Sequence, residues 1–287
     1  MRTLKFMLIF LCLVTYLILG YITRLVLVFA KPHTATKALN YLTYYLMHFF
    51  TFFGGVKVRI SGQKDALKEK GLFVISSHVS YLDAVILGTL LPGSFSTKSE
   101  AKKIPFFGQV VSVGNSIFID RKRKSDILHY VTIMADRLKN GINVFNFPEG
   151  HATDGTQLLS FFPSFFNAPL MTRSVILPVT IDYQKANGSA DYDRDKIYWY
   201  DGKISLLRHL WNFLKFKNVD VTVTIHEKIM PGEHKADARG RKRVSDLCMK
   251  RLSEYTNLPI NFIHPLTDRN PSFDLAPGLK QKESSLN

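Results

Sequence analysis

Cysteine is nearly missing from this chain of 287 residues: Cys12 and Cys248 stand alone and far apart. Two distant cysteines supply neither a disulfide framework nor a zinc site, so a reducing compartment is the simpler setting. Acidic residues are missing from the front. None precedes Asp65, whereas Arg2, Lys5, Arg24, Lys31, Lys37, Lys57 and Arg59 all do, so the first 60 residues carry +7 uncompensated. Over the whole chain 38 Lys and Arg face 23 Asp and Glu, a net charge of +15. That imbalance implies anionic partners, and a basic N-terminus that is also apolar favours a membrane over nucleic acid. Several chemical signatures are absent too. There is no G-x-x-x-x-G-K-[ST], no G-x-G-x-x-G after a strand, no G-x-S-x-G and no H-E-x-x-H. Nucleotide hydrolysis, a dinucleotide cofactor, a serine-hydrolase elbow and a zinc protease are thereby disfavoured.

What is present begins with apolar length. Phe6 to Thr23 is 18 residues without a charge, enough as a helix to cover about 27 Å of hydrocarbon. Arg24 can snorkel to the headgroups. No A-x-A-like site precedes Lys31, so a retained anchor is expected rather than a cleaved signal peptide. A second apolar stretch, Ala38 to Val56, is amphipathic. Leu39, Leu42, Leu46, Phe49, Phe50 and Phe53 fall on one side of a helix, with Lys37, Asn40, Thr43 and Thr51 on the other. Such a helix lies in the membrane interface, dips into one leaflet and returns, or packs as a core helix on the domain.

After Gly54-Gly55 strand and helix patterns alternate. Strands are expected at Val56–Ile60, Leu72–Ser76, Ile142–Phe147, Val175–Ile181 and Val219–Ile225. Helices are expected at Ala84–Leu91, Ser125–Asn140, Lys203–Lys215 and Ala236–Tyr255. The implied fold class is α/β: a mixed, mostly parallel sheet flanked by helices, with an N-terminal membrane-binding helical segment. The expected organisation is an anchor and amphipathic helix over 1–55, a catalytic domain over 56–263 and a loose tail over 264–287.

Four short elements carry candidate chemistry. His78 and Asp83, separated by four residues, follow the Leu72–Ser76 strand, a usual place for reactive groups. Phe118-Ile119-Asp120-Arg121 leads into Lys122, Arg123 and Lys124, four consecutive cations able to hold a phosphate. Phe147-Pro148-Glu149-Gly150 follows another strand, and Val175-Ile176-Leu177-Pro178-Val179 is an apolar strand interrupted by proline.

In this order and at these separations the set resembles the glycerolipid acyltransferase family, specifically the 1-acylglycerol-3-phosphate acyltransferase type, from about Val56 to Ile225. Trp199-Tyr200-Asp201-Gly202 with His209-Leu210-Trp211 is similar to bacterial members. Ser77 stands where the family often has Asn. His151-Ala152-Thr153 replaces a Thr-rich, often Arg-containing stretch, and Phe162-Pro163-Ser164 stands where a lysine is expected. These last two departures bear on the acceptor headgroup, either a glycerol phosphate or that of another lysolipid such as a lyso-aminolipid.

The resemblance implies transfer of a fatty acyl group from acyl-CoA or acyl carrier protein to the free hydroxyl of a lysophospholipid. A hydroxyl needs a positioned base at neutral pH. His78 is expected to take its proton and Asp83 to orient the imidazole, the His–Asp half of a serine-hydrolase triad. Arg121 is the candidate for the acceptor phosphate, since a guanidinium can bind two oxygens at once. Glu149 and Gly150 are carried over from the family as acceptor-binding, with Glu149 expected to order Arg121 or a substrate hydroxyl. Phe118 and Pro178 complete the expected substrate-binding set. No metal and no cofactor is expected beyond the thioester co-substrate. Membrane lipids are expected partners and nucleic acid is not. The catalytic domain is expected on the cytosolic side of the membrane.

Overall fold

The computed structural model describes residues 2–120, 126–200, 202, 204–232 and 234–262. Two long helices come first, α1 (Arg2–Val26) and α2 (Pro32–Gly54). The chain then runs through β1 (Val56–Gly62), β2 (Phe73–Ile75), α3 (Tyr81–Leu87), β3 (Gly93–Lys98), α4 (Phe107–Val113), β4 (Ile117–Ile119) and α5 (Asp126–Lys139). It continues with β5 (Asn143–Asn146), β6 (Leu158–Leu159), α6 (Asn167–Thr172), β7 (Ile176–Ala186) and α7 (Leu206–Phe213). It closes with β8 (Val219–Ile225), α8 (Ala238–Thr256) and β9 (Ile260–Asn261).

Among the described residues seven strands form one sheet in the order β1-β8-β7-β2-β5-β3-β4. Every neighbouring pair is parallel except β7–β8. Parallel strands are buried on both faces, and β2 shows it residue by residue. Leu72 and Val74 pack with Leu82, Ile86, Phe145, Leu177 and Phe213 on one side. Phe73 and Ile75 pack with Met134, Val144, Phe166, Cys248 and Leu252 on the other. The expected α/β class is what the chain forms.

Within the main sheet β3 and β4 escaped the sequence pattern, and so did the short strands β6 and β9 and the helices α4 and α6. Gly93-Ser94-Phe95-Ser96-Thr97-Lys98 has one large apolar residue and no alternation to read. Pairing decides it: β3 lies between β5 and β4. The helix expected at Ala84–Leu91 instead begins at Tyr81, because Ser80 caps it and Asp83 completes a capping box ahead of the apolar run. The tail expected at 264–287 lies outside the described residues.

The first helices pack as an antiparallel pair, joined to the domain along their length. Lys5 Nζ donates to the carbonyls of Gly54, Phe216 and Lys217 at 3.0, 2.9 and 2.9 Å. Tyr16 bonds Thr43 at 3.0 Å and the Val110 carbonyl at 3.2 Å. Arg24 donates to the Ser112 carbonyl. By length and composition α1 is the one described helix apolar enough to cross a membrane.

The buried side of α2 includes Leu39, Leu46 and Phe50 from its apolar stripe, as a core helix requires, and extends over part of the polar side. Asn40, Thr43 and Thr51, placed opposite the apolar stripe, are buried against the protein too. Asn40 Nδ2 reaches Ser94 Oγ at 3.0 Å. The exposed face carries Tyr41, Tyr45, Phe49 and Phe52. Small polar residues allow close approach and find partners within, which leaves the bulky aromatics outside. On α1, Leu4, Met7, Phe10, Leu11, Ile18, Leu19 and Ile22 are exposed as well, and the turn between the helices shows Val28 and Phe29.

Contact between α1 and α4 turns on Gly20, where an added Cβ would come within 2.1 Å of Val113 Cγ1. Alanine gains up to about 1 kcal/mol over glycine in helix propensity, but overpacking against a stiff β-branched neighbour costs about 1–3 kcal/mol. Gly20→Ala should therefore lower stability in chemical denaturation, and adding Val113→Ala should recover part of the loss. An unchanged midpoint in the single variant would contradict this packing.

Candidate functional site

The site forms where β2 ends and α3 begins. Ser80 is the N-cap of α3 and Asp83 is its third residue, so their side chains satisfy the helix start reciprocally. The Asp83 carboxylate does more than cap. Its Oδ2 accepts the backbone N–H groups of Val79 and Ser80 at 2.7 and 2.9 Å, together with His78 Nδ1 at 2.9 Å. Its Oδ1 accepts the Tyr183 hydroxyl at 2.7 Å. The four-residue interval thus has a local cause: the chain turns back through Val79 and Ser80 so that one carboxylate meets both the cap and the ring.

The Asp83 side chain is 1% exposed and that of His78 is 21% exposed. With Nδ1 committed to Asp83, His78 keeps Nε2 for a proton in transit. One face of the ring stacks on Phe147, with centroids 4.0 Å apart and planes 17° from parallel. The backbone around His78 is equally tied. Its carbonyl accepts from Thr153 N at 2.7 Å and the Val79 carbonyl from Trp199 N at 2.9 Å.

Glu149 is fully buried, and its position explains why a glutamate follows that strand. Oε1 accepts the backbone N–H of His78 at 3.0 Å, and Oε2 accepts that of Leu159 at 2.8 Å. Burial pushes its carboxyl up to about 8; the two N–H bonds oppose the shift and the Asp83 charge adds to it. Gly150 follows at φ 77°, a left-handed conformation suited to glycine, and its N–H bonds the Phe147 carbonyl at 2.9 Å.

Not every expected residue gathers here. His78, Asp83 and Glu149 come together, with Gly150 next in the chain. Pro178 is buried in β7 opposite Ile75 of β2, and its carbonyl accepts from His226 N at 3.1 Å. Phe118 lies on β4 at the sheet edge, where Lys102 Nζ sits over its ring at 4.2 Å. Arg121 lies outside the described residues. Sequence reasoning missed Tyr183 and the stacking role of Phe147. It also missed Lys98, whose Nζ lies 2.8 Å from His151 Nδ1. Phe147 could have been found inside its own motif, whereas Tyr183 is 100 residues from Asp83 with no local signal.

A carboxyl that keeps its proton up to about 8 when folded, but releases it near 4.5 when unfolded, has a signed effect on stability. Between those values the unfolded chain binds fewer protons, so this contribution is fully present below about 4.5 and is lost as pH rises toward 8. Glu149→Gln should flatten that fall. Denaturation midpoints of both proteins from pH 5 to 8 test it: parallel curves would rule out Glu149 as the source.

Comparison with known proteins follows the same residues. The family model described as Acyltransferase matches residues 57–182. The lyso-ornithine lipid O-acyltransferase of Rhizobium meliloti (strain 1021) is 31% identical over 207 residues, 69% of this chain and 68% of that protein. The 1-acyl-sn-glycerol-3-phosphate acyltransferase of Neisseria gonorrhoeae is 30% identical over 118 residues, 41% of this chain and 46% of that protein. A crystal structure of the 1-acyl-sn-glycerophosphate (LPA) acyltransferase PlsC from Thermotoga maritima shares the fold. Its TM-score is 0.56 at 20% identity, covering 89% of this chain and 98% of that one. The matched family segment holds His78, Asp83, Glu149 and Pro178, and the Rhizobium relative is matched over 68% of its length; the chain belongs to the lysolipid acyltransferase family.

Proposed function

We propose that this protein transfers a fatty acyl group from acyl-CoA or acyl carrier protein to the free hydroxyl of a lysolipid, with His78 as base and Asp83 as its orienting carboxylate. One observation carries the proposal: the 2.9 Å bond from His78 Nδ1 to a buried, multiply bonded Asp83. His78 Nε2 takes the hydroxyl proton as the oxygen attacks the thioester carbonyl. Asp83 stabilises the imidazolium. The carbon–sulfur bond then breaks, and the same proton passes to the leaving thiolate. The lipid supplies the nucleophile, so no acyl-enzyme forms.

For the acceptor, 1-acylglycerol-3-phosphate, giving phosphatidic acid, is the first reading. Arg121 would hold the phosphate, with Phe118 close by in the chain; Glu149 and Pro178 are buried, so they and Gly150 would serve the acceptor through the backbone they hold. A second reading, a lyso-aminolipid acceptor, is favoured by a specific observation. Where the resembled family often carries an arginine after Glu-Gly, this chain has His151-Ala152, and His151 is engaged by Lys98. The Rhizobium protein, matched over more of this chain than the Neisseria one, is named for lyso-ornithine lipid.

The exposed apolar faces of α1 and α2 fit a lipid surface, and the bonds that fasten them to the domain bear on how they meet it. A helix bonded to the domain through Lys5, Tyr16 and Arg24 cannot cross a bilayer without breaking those bonds or dragging the domain along. The helical pair therefore lies in one leaflet as a monotopic anchor, with the catalytic domain facing the cytosol, where thioester donors are. The basic surface favours anionic headgroups and the phosphates or acidic groups of the donor.

Product analysis by mass spectrometry, with lysophosphatidic acid and lyso-ornithine lipid offered alongside acyl-CoA and acyl carrier protein, tests the chemistry. His78→Ala should lose at least about a hundredfold of the turnover while still binding vesicles; activity near wild type would remove it as the base. Topology has its own test. In sealed vesicles and a Cys12→Ala background, Lys31→Cys, in the turn between α1 and α2, and Ser189→Cys should react with an impermeant thiol reagent from the same side. Labelling from opposite sides would make α1 a spanning helix.

A further inference from the structure

The Asp83 carboxylate presents two oxygens, and only one of them touches His78 or the cap of α3. The other is met by Tyr183, from a strand 100 residues away. Three independent features place that phenol. The register between β7 and β8 shifts between Tyr183 and Lys185, a β-bulge that leaves Gln184 as the extra residue. Bulges of this kind re-aim side chains beside functional sites. The Tyr183 carbonyl is held by the Tyr192 hydroxyl at 2.5 Å. The Tyr183 side chain is buried, and its ring lies 5.9 Å from that of Tyr198.

We infer that Tyr183 is a positioning residue of the reaction, whose hydroxyl holds Oδ1 of Asp83 and sets how strongly that carboxylate draws on His78. The inference rests on the reading of His78 and Asp83 as base and orienting carboxylate. A donor on Oδ1 spreads the negative charge away from Oδ2, so it weakens the pull of Oδ2 on the imidazole proton. The phenol stays protonated: burial and the Asp83 charge both push its ionisation well above the ordinary value. The other ionisable groups around the pair are Glu149, whose carboxyl bonds the His78 N–H, and Tyr81 and Tyr198 beside Tyr183. His209 stands behind Tyr81, 3.2 Å from its hydroxyl. None of these appears among the donors to Oδ1.

The expected effect has a sign that loss of rigidity alone would not give. In Tyr183→Phe the charge on Asp83 concentrates, the imidazolium is held more firmly, and the acidic limb of the pH–rate profile moves up by about 0.5–1 unit. One unit below the wild-type limb, turnover falls about three- to tenfold, while the plateau changes little. In an Asp83→Asn background the same substitution should do nothing further. Replacing Tyr183 with 3-fluorotyrosine, a more acidic phenol that preserves packing, should move the limb the other way. NMR titration of the His78 ring, in wild type and all variants, reads the same shifts without any substrate. Upward movement with phenylalanine and downward movement with fluorotyrosine support the inference. Unmoved titrations, or an equal loss in the Asp83→Asn background, would overturn it. Should no lysolipid be acylated by the wild type, the reading of function fails, and the NMR titrations still decide the role of Tyr183.

Discussion

A single carboxylate organises the centre of this molecule. Asp83 starts a helix, closes a loop and orients an imidazole, and it does so while almost wholly removed from water. A buried charge is tolerable only when its lone pairs are occupied, and here each oxygen has donors aimed at it. The consequence spreads outward. The Ser77–Ser80 segment has no regular structure of its own, yet its backbone is held from several sides. Glu149 takes the His78 N–H, Thr153 takes the His78 carbonyl and Trp199 takes the Val79 carbonyl. Preorganisation of this kind costs folding energy and spares it at the moment of reaction.

The motifs of the family acquire distinct physical meanings in this frame. The His–Asp interval is the length of chain needed to turn a ring back onto the third residue of a capped helix. The Phe-Pro-Glu-Gly element works as a clamp beneath it. Phe147 flanks the imidazole, Glu149 grips the backbone behind it, and Gly150 turns the chain away in a left-handed conformation. Glu149 therefore supports His78 from within, whatever else its neighbourhood does for the acceptor.

Much of this was legible in the sequence, and the parts that were not share a cause. Alternating strands such as Val219–Ile225 and the amphipathic α5 announce themselves through periodicity, and so did the α/β class. β3 did not, since Ser, Thr and Gly become strand only when β4 and β5 pair beside them. The buried side of α2 is wider than its apolar stripe suggests, because a helical wheel assumes that polar means wet. Asn40 and Thr43 are polar and dry, the one partnered by Ser94 of β3 and the other by Tyr16 of α1. Tyr183 was invisible for a related reason: a contact spanning 100 residues leaves no trace in local pattern. His78 and Asp83 were visible because their partnership is local.

Gly55 links α2 to β1 at φ 80°, and the carbonyl of Lys217 lies where any Cβ would stand, 2.3 Å from it. There is no slack at this junction, and Lys5 ties the first helix to the same spot. In the monotopic arrangement proposed, an anchor joined so stiffly would act as a depth gauge. The altitude of the imidazole above the lipid is set by covalent geometry and not by diffusion of a tethered domain. A bilayer substrate would then have to present its alcohol at that altitude, so the size of its polar head would contribute to selection before any side chain touches it.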